Sequence, residues 1–243
     1  MTPRHLTAGY SAAQVREAER PLLEQGVPLM ARAAAGLAVA VCDVLAARPG
    51  GAGRLLVLAG SGSNGGDALL AAAELLADGC TAIVVPLGGR IHDAGLTAAT
   101  AAGAEVLTGG DPAAVVRLAR ESDVVLDGVL GTGAAASPAL RSPAREVVEA
   151  LLPVVGGDGP AVVAVDLPSG VGADDGSAPG PVLPASVTVT FGAVKAGLLL
   201  PPGRGLAGRV LLVDIGLGPA LRGVRPLVAS GRPPGTVQVA VGS

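Results

Sequence analysis

Short runs of apolar residues alternate along this chain with longer stretches whose apolar positions recur at helical spacing. The run LLVLA at 55–59 breaks into a glycine loop, and DALLAAAELLAD at 67–78 then has helical composition, with Asp67 placed to cap its first turn. The alternation continues through strand 80–87, helix 92–102, strand 104–107, helix 111–121, strand 123–127, helix 142–152 and strand 161–165. Such alternation with short connections predicts an α/β fold, a mostly parallel central sheet covered by helices on both faces. Upstream, 11–47 reads as two helices, capped at Ser11 and split at Pro21 and at Gly26 to Pro28. The second, Leu29 to Ala47, is apolar almost all round and is predicted to be buried against the sheet or a partner subunit. Beyond 182 come two more strand-like runs, 185–191 and 209–214. The Pro-, Gly- and Arg-rich stretch 219–243 ends in the short strand-like TVQVAVGS, which has nothing obvious to pair with, and reads as a linker or tail.

Strand, glycine loop, helix is a geometry that presents backbone N–H groups to an anion, so a phosphate-bearing ligand is expected at 60–67. Gly60, Gly62 and Gly65 satisfy G-x-G-x-x-G, yet the strand after the next helix runs into Gly88 and Gly89 without the acid that would hold a ribose. A Walker-type loop fails because Asp67 stands where a lysine is needed. A plain tight turn would not call for Ser63, Asn64 and Asp67 together. Two further strands end in the same manner: Asp127 precedes the turn Gly131, Thr132, Gly133, and Asp166 precedes Ser169 and Gly170. In an open α/β sheet, ligands bind outside the carboxyl ends of the strands, so the three loops are expected to converge at one edge. Any one of these acids could simply cap a turn. Together with Asn64 and Ser169 they offer carboxylate, amide and hydroxyl oxygens, which suit a hard cation better than zinc.

Composition narrows the rest. The chain has 243 residues, half of them hydrophobic, enough for one domain with an ample core, and only 1% aromatic, so the core is built from Ala, Val and Leu. A net charge of -3 gives no footprint for nucleic acid or an anionic membrane. Cys42 and Cys80 have neither metal nor disulfide spacing and read as buried free thiols. Met1 to Thr7 carries Arg4 and His5 with no apolar run behind it, and 194–202 is too short to span a bilayer, so a soluble cytoplasmic chain is expected. His5 and His92 fall in no motif and read as surface residues. The chain has a single lysine, Lys195; every other basic residue of the seventeen is arginine. That lysine is either a chance surface residue or a compact ammonium needed to pair with a carboxylate or phosphate at the sheet edge.

GSGSNGGDALLAAAELLADG, DGVLGTG, AVDLPSGVGADDG and TFGAVKAGLLLPPG, in this order and spacing, resemble the NAD(P)H-hydrate epimerase family, the YjeF N-terminal-type domain, over roughly residues 8–218. The resemblance implies a Rossmann-like three-layer α/β/α sandwich, usually a homodimer, that interconverts the R and S epimers of hydrated NADH and NADPH (NADHX and NADPHX) and binds K+. Matched by motif, Ser63, Asn64, Gly65, Gly66 and Asp67 form the substrate-lining segment, with Asn64 also a potassium ligand alongside Asp127 and Ser169. Gly131, Thr132, Gly133, Ala134, Ala135, Ala136 and Ser137 match a substrate-binding turn, and Asp166 a substrate-contacting acid. Ser63 stands where the family pattern has Asn, a shorter hydrogen-bonding group, and the stretch 134–143 is longer and richer in Ala than the usual turn. The family is often fused to a dehydratase domain, and RPPGTVQVAVGS faintly resembles the start of one.

The expected chemistry follows from the substrate. The hydroxyl-bearing carbon of a hydrated nicotinamide is bonded to the ring nitrogen, so loss of hydroxide leaves a cation delocalised onto that nitrogen. Water returning to the opposite face gives the other epimer. The step needs proton transfer to the leaving oxygen and from the incoming water, with negative charge near the cation. A carboxyl whose pKa is raised by burial can do both; Asp166 is the first candidate and Asp67 the second. The alternatives are a non-catalytic nucleotide- or protein-binding module on the same fold, and an ordinary NAD-dependent oxidoreductase, against which the missing ribose acid counts.

Overall fold

The computed structural model describes residues 7–48, 50–133, 137–230 and 235–237. The chain opens with strand β1 (Thr7–Gly9) and helices α1 (Ala12–Glu24) and α2 (Leu29–Ala46). It continues as β2 (Arg54–Ala59), α3 (Ser63–Ala77), β3 (Thr81–Pro86), α4 (Asp93–Ala101), β4 (Glu105–Val106), α5 (Pro112–Glu121), β5 (Val124–Gly128), α6 (Ala144–Leu151) and β6 (Ala161–Val165). The last part holds β7 (Val187–Phe191), a 3-10 turn (Ala196–Leu198), α7 (Gly203–Leu206), β8 (Arg209–Val213), α8 (Gly218–Leu221), β9 (Val228–Ser230) and β10 (Gly235–Val237).

Eight strands form one sheet in the order β10-β8-β7-β6-β5-β2-β3-β4, with every pair parallel. Alternation along each strand separates two cores. Leu55, Val57, Val124, Leu126, Val163 and Val165 pack with α2 and α3 on one face. Leu56, Leu58, Val125, Val162 and Ala164 pack with α5 and α6 on the other. This is the expected three-layer sandwich, and its α/β class agrees with the sequence pattern. The chain runs outward from β2 to β4, then returns to place β5 on the other side of β2. The segments leaving β2 and β5 therefore diverge to opposite faces, and a crevice opens between them at the carboxyl edge, where α/β sheets bind ligands.

Four local expectations change. Helix α1 runs through Pro21 to Glu24, and the break falls at Gly26, whose φ of 73° only glycine adopts readily. Helix α3 begins at Ser63 with Gly62 as its N-cap, so Asp67 lies inside the helix instead of capping it. The segment 219–243, expected to pair with nothing, supplies β9, antiparallel to β1, and β10, parallel to β8. Helix α2 is long and apolar enough to cross a membrane by length and composition, yet half of it is buried in the fold, with Leu37, Val41 and Ala34 in the core. The cysteines correct the expectation of buried thiols: Cys42 is exposed and Cys80 half-buried.

Candidate active site

The crevice is a cavity of about 460 Å³. Its floor comes from the β2–α3 segment (Ser61 to Asn64, and Asp67), the turn after β5 (Val129 to Gly133), and Asp166, Phe191 and Lys195 from the ends of β6 and β7. The three loops thus converge as expected. Asn64 and Asp67, three residues apart, share one face of α3. That helix can start so close to the sheet only because Gly65 has no side chain: a Cβ there would run into the Gly60 carbonyl. Glycine in a helix costs about 1 kcal/mol; here close approach outweighs it.

Asp166 is the only non-glycine residue with a positive φ, 67°, among the described residues. This sparsely populated conformation turns its carboxylate back toward β7. Oδ1 accepts Lys195 Nζ at 2.5 Å, Thr190 Oγ1 at 2.9 Å and the Phe191 N–H at 3.4 Å. Lys195 also donates to the Phe191 carbonyl at 2.9 Å and is 2% exposed. The single lysine is therefore a buried ion-pair partner and not a surface residue. Its backbone is pinned by the N-terminal segment: Tyr10 N–H donates to the Val194 carbonyl, and Ala196 N–H donates to the Tyr10 carbonyl.

Asp67 is 6% exposed and makes no ion pair among the described residues. Burial is the main reason its carboxyl is pushed up to about 8; the Asp166 charge adds to the rise and Lys195 opposes it. At neutral pH it holds its proton.

Beneath the turn after β5 lies a second cluster. Asp127, 1% exposed, accepts the Ser169 N–H at 2.9 Å and the Val129 N–H at 3.5 Å, and burial raises its pKa. Ser169 Oγ accepts the Leu130 N–H at 2.8 Å. Asn64 donates through Nδ2 to the Val165 carbonyl, and no hydrogen bond among the described residues engages its Oδ1. Gly131 lies against that amide so closely that a Cβ would overlap it. A buried carboxylate with no cationic side chain paired to it, an amide oxygen and a hydroxyl form an all-oxygen donor set suited to a hard monovalent or divalent cation. Among the described residues no three His, Cys, Asp or Glu side chains gather as a metal site.

Of the sequence-derived residues, Ser63, Asn64, Asp67, Gly131, Thr132, Gly133 and Asp166 line the cavity. Asp127 and Ser169 sit below it. Gly65 and Gly66 serve backbone packing, Gly66 against the His92 ring. His92 is half-buried and caps α4, its Nδ1 accepting the Gly95 N–H at 3.0 Å. Ser137 is exposed and outside the cavity lining, and Ala134, Ala135 and Ala136 lie outside the described residues. The first helix was expected from the sequence, but its place at the site was not: Val15, Arg16, Glu19 and Leu23 of α1 form a wall of the cavity. Their i, i+1, i+4, i+8 spacing marks one helix face, but nothing local says what that face meets.

The family model for the YjeF-related protein N-terminus matches residues 27–197. The chain belongs to this YjeF N-terminal family. A Clavibacter michiganensis protein named NAD(P)H-hydrate epimerase is 55% identical over 95% of this chain and 99% of its own length. A Microbacterium testaceum protein of the same name is 48% identical over 92% of this chain and 84% of its own. A bifunctional NAD(P)H-hydrate repair enzyme of Mycobacterium leprae is 41% identical over 86% of this chain, which spans 41% of that longer protein. The crystal structure of yeast ynu0 shares the fold, with a TM-score of 0.69 and 22% identity over 83% of this chain and 88% of that one. The cavity at the β2/β5 crossover holds this chain's buried ionisable groups Asp67, Asp166 and Lys195.

Proposed function

We infer that the chain is an NAD(P)H-hydrate epimerase, an isomerase of nicotinamide-cofactor repair that interconverts the R and S epimers of NADHX and NADPHX. The observation that carries the chemistry is a buried Asp67, its carboxyl pKa pushed up by burial, beside a fixed Lys195–Asp166 ion pair in one cavity. Similarity across 95% of this chain and 99% of the length of a relative named as an epimerase supports the same reading.

Asp67 is the proton carrier in this mechanism. Its neutral carboxyl protonates the departing hydroxyl, the ring nitrogen lone pair forms the C=N bond, and the resulting cation lies among Asp67, Asp166 and Glu19. Asp166 cannot easily serve as the acid while Lys195 and Thr190 hold its Oδ1, so it supplies fixed negative charge. The first turn of α3 leaves backbone N–H groups directed at the substrate's phosphates. K+ is the proposed cation of the lower cluster, held by Asn64, Asp127 and Ser169; it would offset the Asp127 charge and fix the turn at Gly131. The family resemblance further carries a homodimer and a cytoplasmic setting into the proposal, and the bifunctional relatives support a fused or separate dehydratase that consumes one epimer.

Incubating the purified protein with the R epimer of NADPH hydrate and following the S epimer by chromatography tests this reading. Formation of S well above the spontaneous rate is expected. A rate equal to the spontaneous one, with and without potassium, would leave the chain as a binding module on an enzyme fold.

A further inference from the structure

Helix α1 carries three acids, and they have different fates. On its outer side Glu17 and Glu24 both pair with Arg20, at 2.6 and 3.1 Å. Glu19 is half-buried, faces the cavity, and has no hydrogen bond or ion pair among the described residues. The helix that carries it is fixed at its start, where Ser11 forms a capping box with Gln14 and the Ala12 N–H donates to Asp174 Oδ1 at 2.7 Å. Its position is thus built into the fold. Of the cationic groups near it, Lys195 is committed to Asp166, and Arg16 reaches the Thr132 carbonyl at 3.2 Å. Every other acid at the site has a place already: Asp166 in its ion pair, Asp127 beneath the turn, Asp67 on α3.

Inversion at a carbon imposes a requirement that a single acid meets poorly. Hydroxide leaves from one face of the ring and water must arrive on the other, so proton transfer is needed on both faces. One carboxyl held in a helix reaches one of them. The cavity offers a second unpartnered carboxyl from a different wall. We propose that Glu19 is a catalytic residue of the epimerisation, serving the ring face opposite to Asp67.

In one direction the Asp67 carboxyl gives its proton to the leaving oxygen as the C–O bond breaks and the nitrogen lone pair forms the C=N bond. Water then adds to the opposite face: its oxygen bonds to the carbon, the C=N electrons return to nitrogen, and the Glu19 carboxylate takes the proton released. The reverse direction exchanges the two roles, and solvent resets the protons between turnovers. Both carboxyls have their pKa raised chiefly by burial, and both feel Lys195 and Asp166, while Arg16 acts on Glu19 from its own helix. This inference rests on the epimerase reading above.

Exchange in heavy-oxygen water separates the two ideas. With pure R and pure S epimers, one measures inversion and, in parallel, incorporation of heavy oxygen with retained configuration. Glu19→Gln should lose about a hundredfold in inversion. It should still exchange the hydroxyl of one epimer without inverting it, because Asp67 continues to expel and return water on its own face. Asp67→Asn should show the same retained exchange for the other epimer. Glu19→Asp, which keeps the carboxyl, should recover part of the inversion rate. Glu19→Gln inverting at the wild-type rate would overturn the proposal, as would loss of exchange for both epimers alike in a variant that melts like wild type. Wild type failing to accelerate inversion at all would instead overturn the epimerase reading itself.

Discussion

Lys195 Nζ lies 2.5 Å from Asp166 Oδ1, and both side chains are almost fully buried, at 3% and 7% exposure. A buried ion pair adds little net stability over an apolar substitute, but removal of one partner strands the other charge. Lys195→Met should therefore cost about 3–5 kcal/mol in urea unfolding, and the double variant Lys195→Met with Asp166→Asn should recover much of it. Lys195→Arg is expected to lose activity despite keeping the charge, because a planar fork replaces a compact ammonium that reaches both Asp166 and the Phe191 carbonyl. Unchanged stability in Lys195→Met would contradict the pairing.

Asp67 gives the protein a pH signature. Its folded pKa is raised to about 8 from 3.8, so between those values the folded state holds a proton that the unfolded state has released. Stability contributed by this group is complete below the unfolded pKa, declines as pH rises through the interval, and is flat above about 8. Asp67→Asn should remove that slope and leave the variant more stable than wild type in alkaline buffer. Parallel melting curves for the two proteins from acid to alkaline pH check this.

Much of this arrangement was legible beforehand, and the parts that were not share a cause. Apolar runs ending in Asp127 and Asp166 announce buried strands and a polar edge, because strand and helix periods are local properties. Asp67 as a helix cap was misplaced because Gly65 and Gly66 look like loop residues until the Gly60 carbonyl that excludes a side chain is in view. Lys195 read as ambiguous, since its partner is 29 residues away in sequence. Glu19 could not be told from Glu17 by composition; only the position of α1 over the cavity separates them. The strand at 228–230 and the pairing of the strand-like end at 235–237 were missed because their partners, β1 and β8, are distant in the chain.

Potassium should act through the cluster beneath Gly131. Added potassium chloride is expected to raise the melting temperature of wild type above that in equal sodium chloride, and Asp127→Asn should abolish the difference. A difference that survives in Asp127→Asn would place the cation elsewhere.

Gly131→Ala tests how tightly the turn and α3 are joined. A Cβ there overlaps the Asn64 amide, so one of the two segments must shift. Since the residue is near the surface, the stability loss should be modest, about 1–2 kcal/mol, while epimerisation should fall by tenfold or more, about 1.4 kcal/mol in the barrier. A fully active Gly131→Ala would show that the turn tolerates displacement.

The most direct test of the mechanism is the pH dependence of R-to-S conversion by the wild-type enzyme. A neutral Asp67 as proton donor requires activity that holds through neutral pH and falls as pH rises past about 8, with the fall absent from whatever residual rate Asp67→Asn retains. A rate that stays level well above that pH, or an Asp67→Asn variant as fast as wild type, would remove Asp67 from the chemistry.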